Sequence, residues 1–261
     1  MTSLRIFLLG GVISYRALFN WIRPLSYATS MLGIPLFQML FFAYLGRFAG
    51  VRDDGFFVVG NAVQATAMGG LYAMTMTIAN ERFFGTLGAV LGTPANRLAL
   101  FLGRALPIIV NALAVSAVVF AAGLILLDFS LPVSRVPSLG AVVLLTATAT
   151  TGLGLLLGSL GLRVRDVFFA SNLVYFLTLL VCGVNVPLDV LPGWLEAVGR
   201  AVPLTHGLEA ARRVAAGDGL GDVAALLGTE AAIGAVYASA AFALFRLFEL
   251  EGRRRASLET Y

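Results

Sequence analysis

The sequence predicts an all-α integral membrane protein with six transmembrane helices, and three observations predict it. The chain of 261 residues is 59% hydrophobic and only 12% charged, where soluble domains average about 45–50% apolar and about 25% charged. Its mean hydropathy is +0.91. The apolar excess is gathered into six runs, and about 20 apolar residues suffice to cross the hydrocarbon core of a bilayer. Backbone polar groups in lipid must be satisfied inside the segment, so each continuous run is expected to be a helix. A barrel would need short alternating strands instead.

The first element is not a span. Over residues 4–22, Leu4, Phe7, Leu8, Val12, Tyr15, Leu18, Phe19 and Ile22 recur at helical spacing on one face, while Arg5, Arg16, Asn20 and Arg23 are polar. This predicts an amphipathic helix lying in the interface, ended by Pro24. Arg5 interrupts the start early and no A-x-A-like site follows, so a cleaved signal peptide is not expected. The six spans are drawn at 25–46, 55–79, 105–127, 139–162, 167–186 and 223–248, within one membrane domain covering 1–261. No internal repeat and no separate soluble domain is visible.

Arginine placement sets the orientation. With the N-terminus in the cytoplasm, Arg5, Arg16, Arg23, Arg82, Arg97, Arg104, Arg163, Arg165, Arg246, Arg253, Arg254 and Arg255 lie inside. Only Arg47, Arg52, Arg135, Arg200, Arg212 and Arg213 lie outside. Twelve against six predicts N-in and C-in. The Arg253–Arg255 cluster reads as a topology anchor drawn to anionic lipid.

All 18 basic residues are arginine. A Walker A loop needs a lysine on the nucleotide phosphates, so this chain carries no P-loop. Arginine for lysine, with abundant Ala and Gly, points to a GC-rich bacterial source. The arginines are dispersed, with no basic-aromatic stripe, so nucleic acid is not an expected partner. Cys182 is the sole cysteine and His206 the sole histidine. No internal disulfide and no Cys/His zinc site is therefore expected.

Two connections are too organised to be plain loops. The inner one, 80–104, reads NERFFGTLGAVLGTPANRLALFLGR. The outer one, 187–222, holds two short helical patterns near 192–202 and 204–216, broken by Pro203. Its mixed character suits helices that dip into the outer leaflet without crossing. The inner segment resembles the E-R-x-x-G-T-L-x-x-L-x-x-T-P-x-x-R hallmark of ABC-2 type transporter permeases, at Glu81, Arg82, Gly85, Thr86, Leu87, Thr93, Pro94 and Arg97. Gly88 stands where that family often has an acid. The outer segment resembles the family's re-entrant segment at Pro187, Leu191, Pro192, Gly193, Trp194, Leu195, Pro203, Leu204, Thr205, Ala210, Arg212 and Gly217. The daunorubicin-resistance type is the most similar subgroup.

The resemblance implies a half-transporter of the bacterial plasma membrane. Two permeases, identical or related, would pair above two ATPase subunits. Those partners would bind the ATP and Mg, leaving this chain without cofactor or catalytic residue. The inner segment would form a coupling helix in an ATPase groove, with Phe84 and Leu91 beside the hallmark residues and with Arg163, Arg165 and Asp166 in the next inner loop. Amphipathic drugs, lipids or lipid-linked molecules would be exported.

The residues themselves leave several roles open. Gly85, Gly88 and Gly92 would leave one side of a short helix bare for a close partner. Phe83, Phe84, Leu87 and Leu91 could equally rest on lipid. Glu81 and Arg82 could gate, pair with the 163–166 loop, or be solvated. Gln38, Asn61, Gln64, Asn111 and Asn172 are neutral polar groups within spans, suited to a translocation path or to bonds between helices. Glu230 is the one acid well inside a span, expected near water or paired with Arg212 or Arg213. Gly154 and Gly158 form a G-x-x-x-G that permits close helix contact, within the protomer or between two.

Overall fold

A computed structural model describes residues 10–12, 26, 28–50, 53–77, 85, 97–161 and 166–255. All the regular elements among them are helical. We number α1 Ile34–Ala49, α2 Asp54–Met68, α3 Arg97–Leu126, α4 Val136–Leu160, α5 Val167–Val181, α6 Gly193–Ala201, α7 Thr205–Ala216 and α8 Ala224–Arg255. A π-helical segment, Ala28–Gly33, leads into α1. Another, Gly69–Ala73, continues α2, which stays helical to residue 77.

Four of the described helices are long and apolar enough to cross a membrane: Thr29–Ala49, Leu102–Leu126, Val133–Leu160 and Ala224–Phe248. The other two expected spans have physical reasons to differ. α2 is buried on nearly every side, from Phe57 through Leu71. A helix walled by other helices can carry Asn61 and Gln64, which lower its hydropathy. α5 stops at Val181, about 22 Å long at 1.5 Å per residue. Expected to run to 186, it ends early because the chain turns at Gly183, in the left-handed region at φ 79°. Two further boundaries move: α3 already begins at Arg97, inside the expected inner connection, and α8 runs on through Arg255.

One end of the bundle is pinned by ions. Arg47, near the C-terminus of α1, forks onto Asp54 at the start of α2 and reaches Asp128 beyond α3 at 2.9 Å. Asp54 also accepts the Asp128 backbone N–H at 3.0 Å. At the same end Arg135, ahead of α4, donates to the carbonyls of Val214 and Asp218 at the end of α7. The helix ends that meet here are those of a bundle alternating in direction.

α4 is the pillar. A Cβ added at Gly154 would collide with the Gly70 carbonyl of the π segment, and one at Gly152 with the Gly234 carbonyl of α8. These bare backbones let helices approach closely where lipid supplies no hydrophobic drive between them. The contact at Gly154 therefore lies within the protomer. The main core runs through Val59, Val63, Val142, Leu153, Leu204 and Leu208. Outward, Phe37, Phe41 and Phe48 of α1 and Phe169 and Phe176 of α5 are exposed, as lipid-facing residues are.

Candidate functional site: a buried polar seam and an outer helical cap

Neutral polar side chains converge between α1, α2 and α5. On α2 and its π-helical continuation, Asn61, Gln64 and Tyr72 recur at i, i+3 and i+11; on α5, Asn172, Tyr175 and Thr178 recur at three-residue steps. Helical spacing places each set along one face. Gln38 Nε2 donates to Asn61 Oδ1 at 2.8 Å, and Asn61 Nδ2 donates to Asn185 Oδ1 at 2.8 Å. Gln64 Nε2 donates to Thr178 Oγ1 at 2.9 Å. Tyr72 donates its hydroxyl to Asn172 Oδ1 at 2.8 Å, and Tyr175 its hydroxyl to Gln38 Oε1 at 3.4 Å. The Tyr72 and Tyr175 rings lie 5.5 Å apart.

The seam joins four of the five span polar residues expected on a translocation path or between helices: Gln38, Asn61, Gln64 and Asn172. Asn111 stands half-buried on another helix, α3. In this conformation the seam's amides bond to one another, to Tyr and Thr hydroxyls and to backbone carbonyls, so they tie α1, α2 and α5 together. Two seam atoms are exceptions, Gln64 Oε1 and Asn185 Nδ2, both buried with no hydrogen-bond partner among the described residues. Tyr72, Tyr175, Thr178 and Asn185 were not singled out in the sequence. The signal for the first three was their register: each tyrosine shares a helical face with an Asn or Gln.

The outer segment folds as its patterns predict, into α6 and α7 with Pro203 buried between them. Pro187 leads into a 3-10 turn, Leu188–Val190. Pro192 precedes α6, whose Trp194 is 70% exposed. Thr205 is buried, and its hydroxyl donates to the Gly199 carbonyl at 2.5 Å. Arg212 is the hub. Its guanidinium donates to the carbonyls of Gly183 at 2.7 Å, Val184 at 2.8 Å and Phe56 at 3.2 Å. It also lies 3.7 Å from the Phe56 ring centre. One side chain thus holds α7 to the ends of α2 and α5. A cavity of about 280 Å³ opens here, lined by Phe56, Leu188, Asp189, Glu196, Leu208 and Arg212 among others.

Glu230 departs from its expectation. It is fully buried rather than near water. It pairs with neither arginine: Arg212 serves the carbonyls, and Arg213 binds Asp218 at 2.6 Å. Instead its Oε2 accepts the Gly207 backbone N–H at 3.1 Å.

Most of the expected coupling residues lie outside the described residues: Glu81, Arg82, Phe84, Thr86, Leu87, Gly88, Leu91, Thr93, Pro94, Arg163 and Arg165. The interfacial helix over 4–22 does too, except for residues 10–12, which are helical. Gly85 is described, in a turn at φ 67°. That left-handed conformation does not belong to a helix interior, so Gly85 leaves the bare helical side expected of it. Arg97 opens α3. Asp166 caps α5, its Oδ1 accepting the Phe169 N–H at 2.9 Å.

A closely packed bundle of apolar helices, with an apolar surface outside and an amide seam inside, defines an integral membrane protein. The family profile described as ABC-2 type transporter matches residues 10–215. The chain belongs to that family. It is similar to the "Probable multidrug ABC transporter permease YbhR" of Escherichia coli K12, 26% identical over 202 residues, 74% of this chain and 53% of the relative. The same-named protein of Escherichia coli O157:H7 matches equally. The chain spans about half the length of the curated relatives it matches.

Proposed function

We propose that this chain is the permease subunit of an ATP-driven exporter and carries no nucleotide site of its own. The family match over residues 10–215 carries the reading. The lack of any lysine, hence of a P-loop, supports a partner chain as the one that binds ATP and Mg. Two ATPase subunits would dock beneath a pair of permeases, this one and a copy or relative. Residues 81–97 and the 163–166 loop would receive the ATPase motion. The whole chain, 1–261, would form one domain of the bacterial inner membrane, N-in and C-in. α2 and α5 would complete six spans, since both take part in the alternating bundle. α6 and α7 would lie re-entrant in the outer leaflet, and the exposed Trp194 supports that placement, because tryptophan favours membrane–water interfaces.

The cargo class rests on the seam also lining the path. Neutral amides and tyrosines beside apolar helices suit amphipathic drugs, lipids or lipid-linked molecules better than ions. The printed name of the Escherichia coli relatives points the same way. The test is co-expression with an ABC ATPase encoded beside this chain's gene. The two should co-purify, and ATP hydrolysis should reside in the complex and be absent from this chain alone. Specific ATPase activity of the purified chain, free of other proteins, would refute the reading.

A further inference from the structure

We propose that Glu230 is the N-terminal cap of α7, supplied from α8, and is the residue that positions the outer helical pair against the last span. A helix start exposes unsatisfied backbone N–H groups and about half a unit of positive charge. Ser, Thr, Asp or Asn at the capping position normally meets them. α7 has none of these. Its capping position is Leu204, fully buried at φ 132°, with no side-chain hydrogen bond to the helix. A non-glycine residue there is strained, and an apolar one offers the helix start no acceptor.

Glu230 fills that vacancy from another helix. Its carboxylate accepts the Gly207 N–H at 3.1 Å, and the backbone N–H groups of Leu204 and His206 face it. Gly207 is also pressed against α4, where a Cβ would collide with Thr146. The start of α7 is thus wedged between α4 and α8. The contact offsets part of two isolated costs, an uncapped helix end and a carboxylate buried without an ion pair among the described residues, and leaves Glu230 Oε1 without a hydrogen-bond partner there. Charge-assisted bonds to backbone N–H are about twice as strong as neutral ones. Thr205, Leu208, Glu209 and Arg212 follow directly, and all four line the outer cavity. Glu230 therefore sets where that lining stands from behind it.

Hydrogen exchange of the full-length chain in lipid nanodiscs tests this. The quantity is exchange in residues 204–216 relative to residues 136–145 of α4. Glu230→Leu introduces an apolar side chain of similar bulk and removes the acceptor, and should raise the ratio about tenfold. That corresponds to about 1.4 kcal/mol. Glu230→Gln retains one acceptor oxygen without charge, and should fall between Leu and wild type. Because the readout is a ratio, general loosening of the bundle does not imitate the effect. A wild-type ratio in Glu230→Leu would mean that bulk alone seats α7, and would overturn the proposal.

Discussion

Gly154 of α4 and Gly70 of the π segment after α2 meet backbone to backbone, so closely that a Cβ at Gly154 would overlap the Gly70 carbonyl. Two helices with no hydrophobic reason to prefer each other over lipid are held by this fit. Gly154→Val should therefore push α4 from α2 at an overpacking cost of about 1–3 kcal/mol. Thermal unfolding of the purified chain in detergent should show a clear drop. Gly140→Val, at a site with nothing within 4 Å of an added Cβ, should stay near wild type. Equal midpoints for the two variants would remove the close approach as a source of stability.

The amide seam makes a second prediction. Asn61 bonds both Gln38 and Asn185. Asn61→Leu keeps the bulk but leaves both partners short of a bond. Side-chain hydrogen bonds between membrane helices average about 0.6 kcal/mol each, with a maximum near 1.7. A loss of roughly 1–2 kcal/mol is expected, read as a lower unfolding midpoint. An unchanged midpoint would free the seam from its structural duty and favour a pure path-lining role.

Arg47 makes the third. It spans α1, α2 and the turn beyond α3 through Asp54, which is 6% exposed, and Asp128. Arg47 is itself exposed, but Arg47→Met leaves the buried Asp54 carboxylate without its cation, and an uncompensated buried charge costs more than removing both groups. The double variant with Asp54→Asn should thus unfold at a higher temperature than Arg47→Met alone. Additive losses in the double-mutant cycle would show that the two groups do not act as a pair.

Much of this arrangement was legible in the sequence. Apolar run length gave the helical membrane class, and the break at Pro203 placed α6 and α7 almost to the residue. The boundaries that moved did so for tertiary reasons. α5 ends where Gly183 turns the chain, and α3 extends back into a connection that composition marked as separate. The seam was half legible. Gln38, Asn61, Gln64 and Asn172 stood out as polar residues in apolar runs, whereas Tyr72, Tyr175 and Thr178 pass as ordinary span residues until their register is drawn. Glu230 was misread because hydropathy records an acid's position along a span and not the helix end that faces it. A cap 26 residues away from Leu204 leaves no local pattern.

The topology reading has its own test. Its basis is arginine placement, twelve residues on one side against six on the other. In a Cys182→Ser background, a cysteine at Ser257 should react with a membrane-impermeant maleimide only after the membrane is opened. A cysteine at Glu209, exposed on α7, should react in intact cells. Reversal of the two patterns would invert the protein in the membrane and move the 81–97 segment away from any cytoplasmic ATPase.

The coupling reading is tested at Gly88. If the inner segment seats in an ATPase groove, Gly88→Trp puts a large ring where a bare backbone was expected. A sterically misplaced contact costs about 1–3 kcal/mol, which weakens docking roughly 5- to 150-fold. The variant should still insert and fold, yet fail to retain its ATPase on affinity purification. The comparison needs a site where tryptophan is harmless. Leu139 near the start of α4 is unsuitable, because it is 4% exposed and belongs to the main core. Gly140 is the better control, exposed and with no atom within 4 Å of an added Cβ. Gly140→Trp should keep the ATPase bound. Normal retention and export by Gly88→Trp would exclude this segment as the docking element, and the ATPase would then have to be sought at the 163–166 loop.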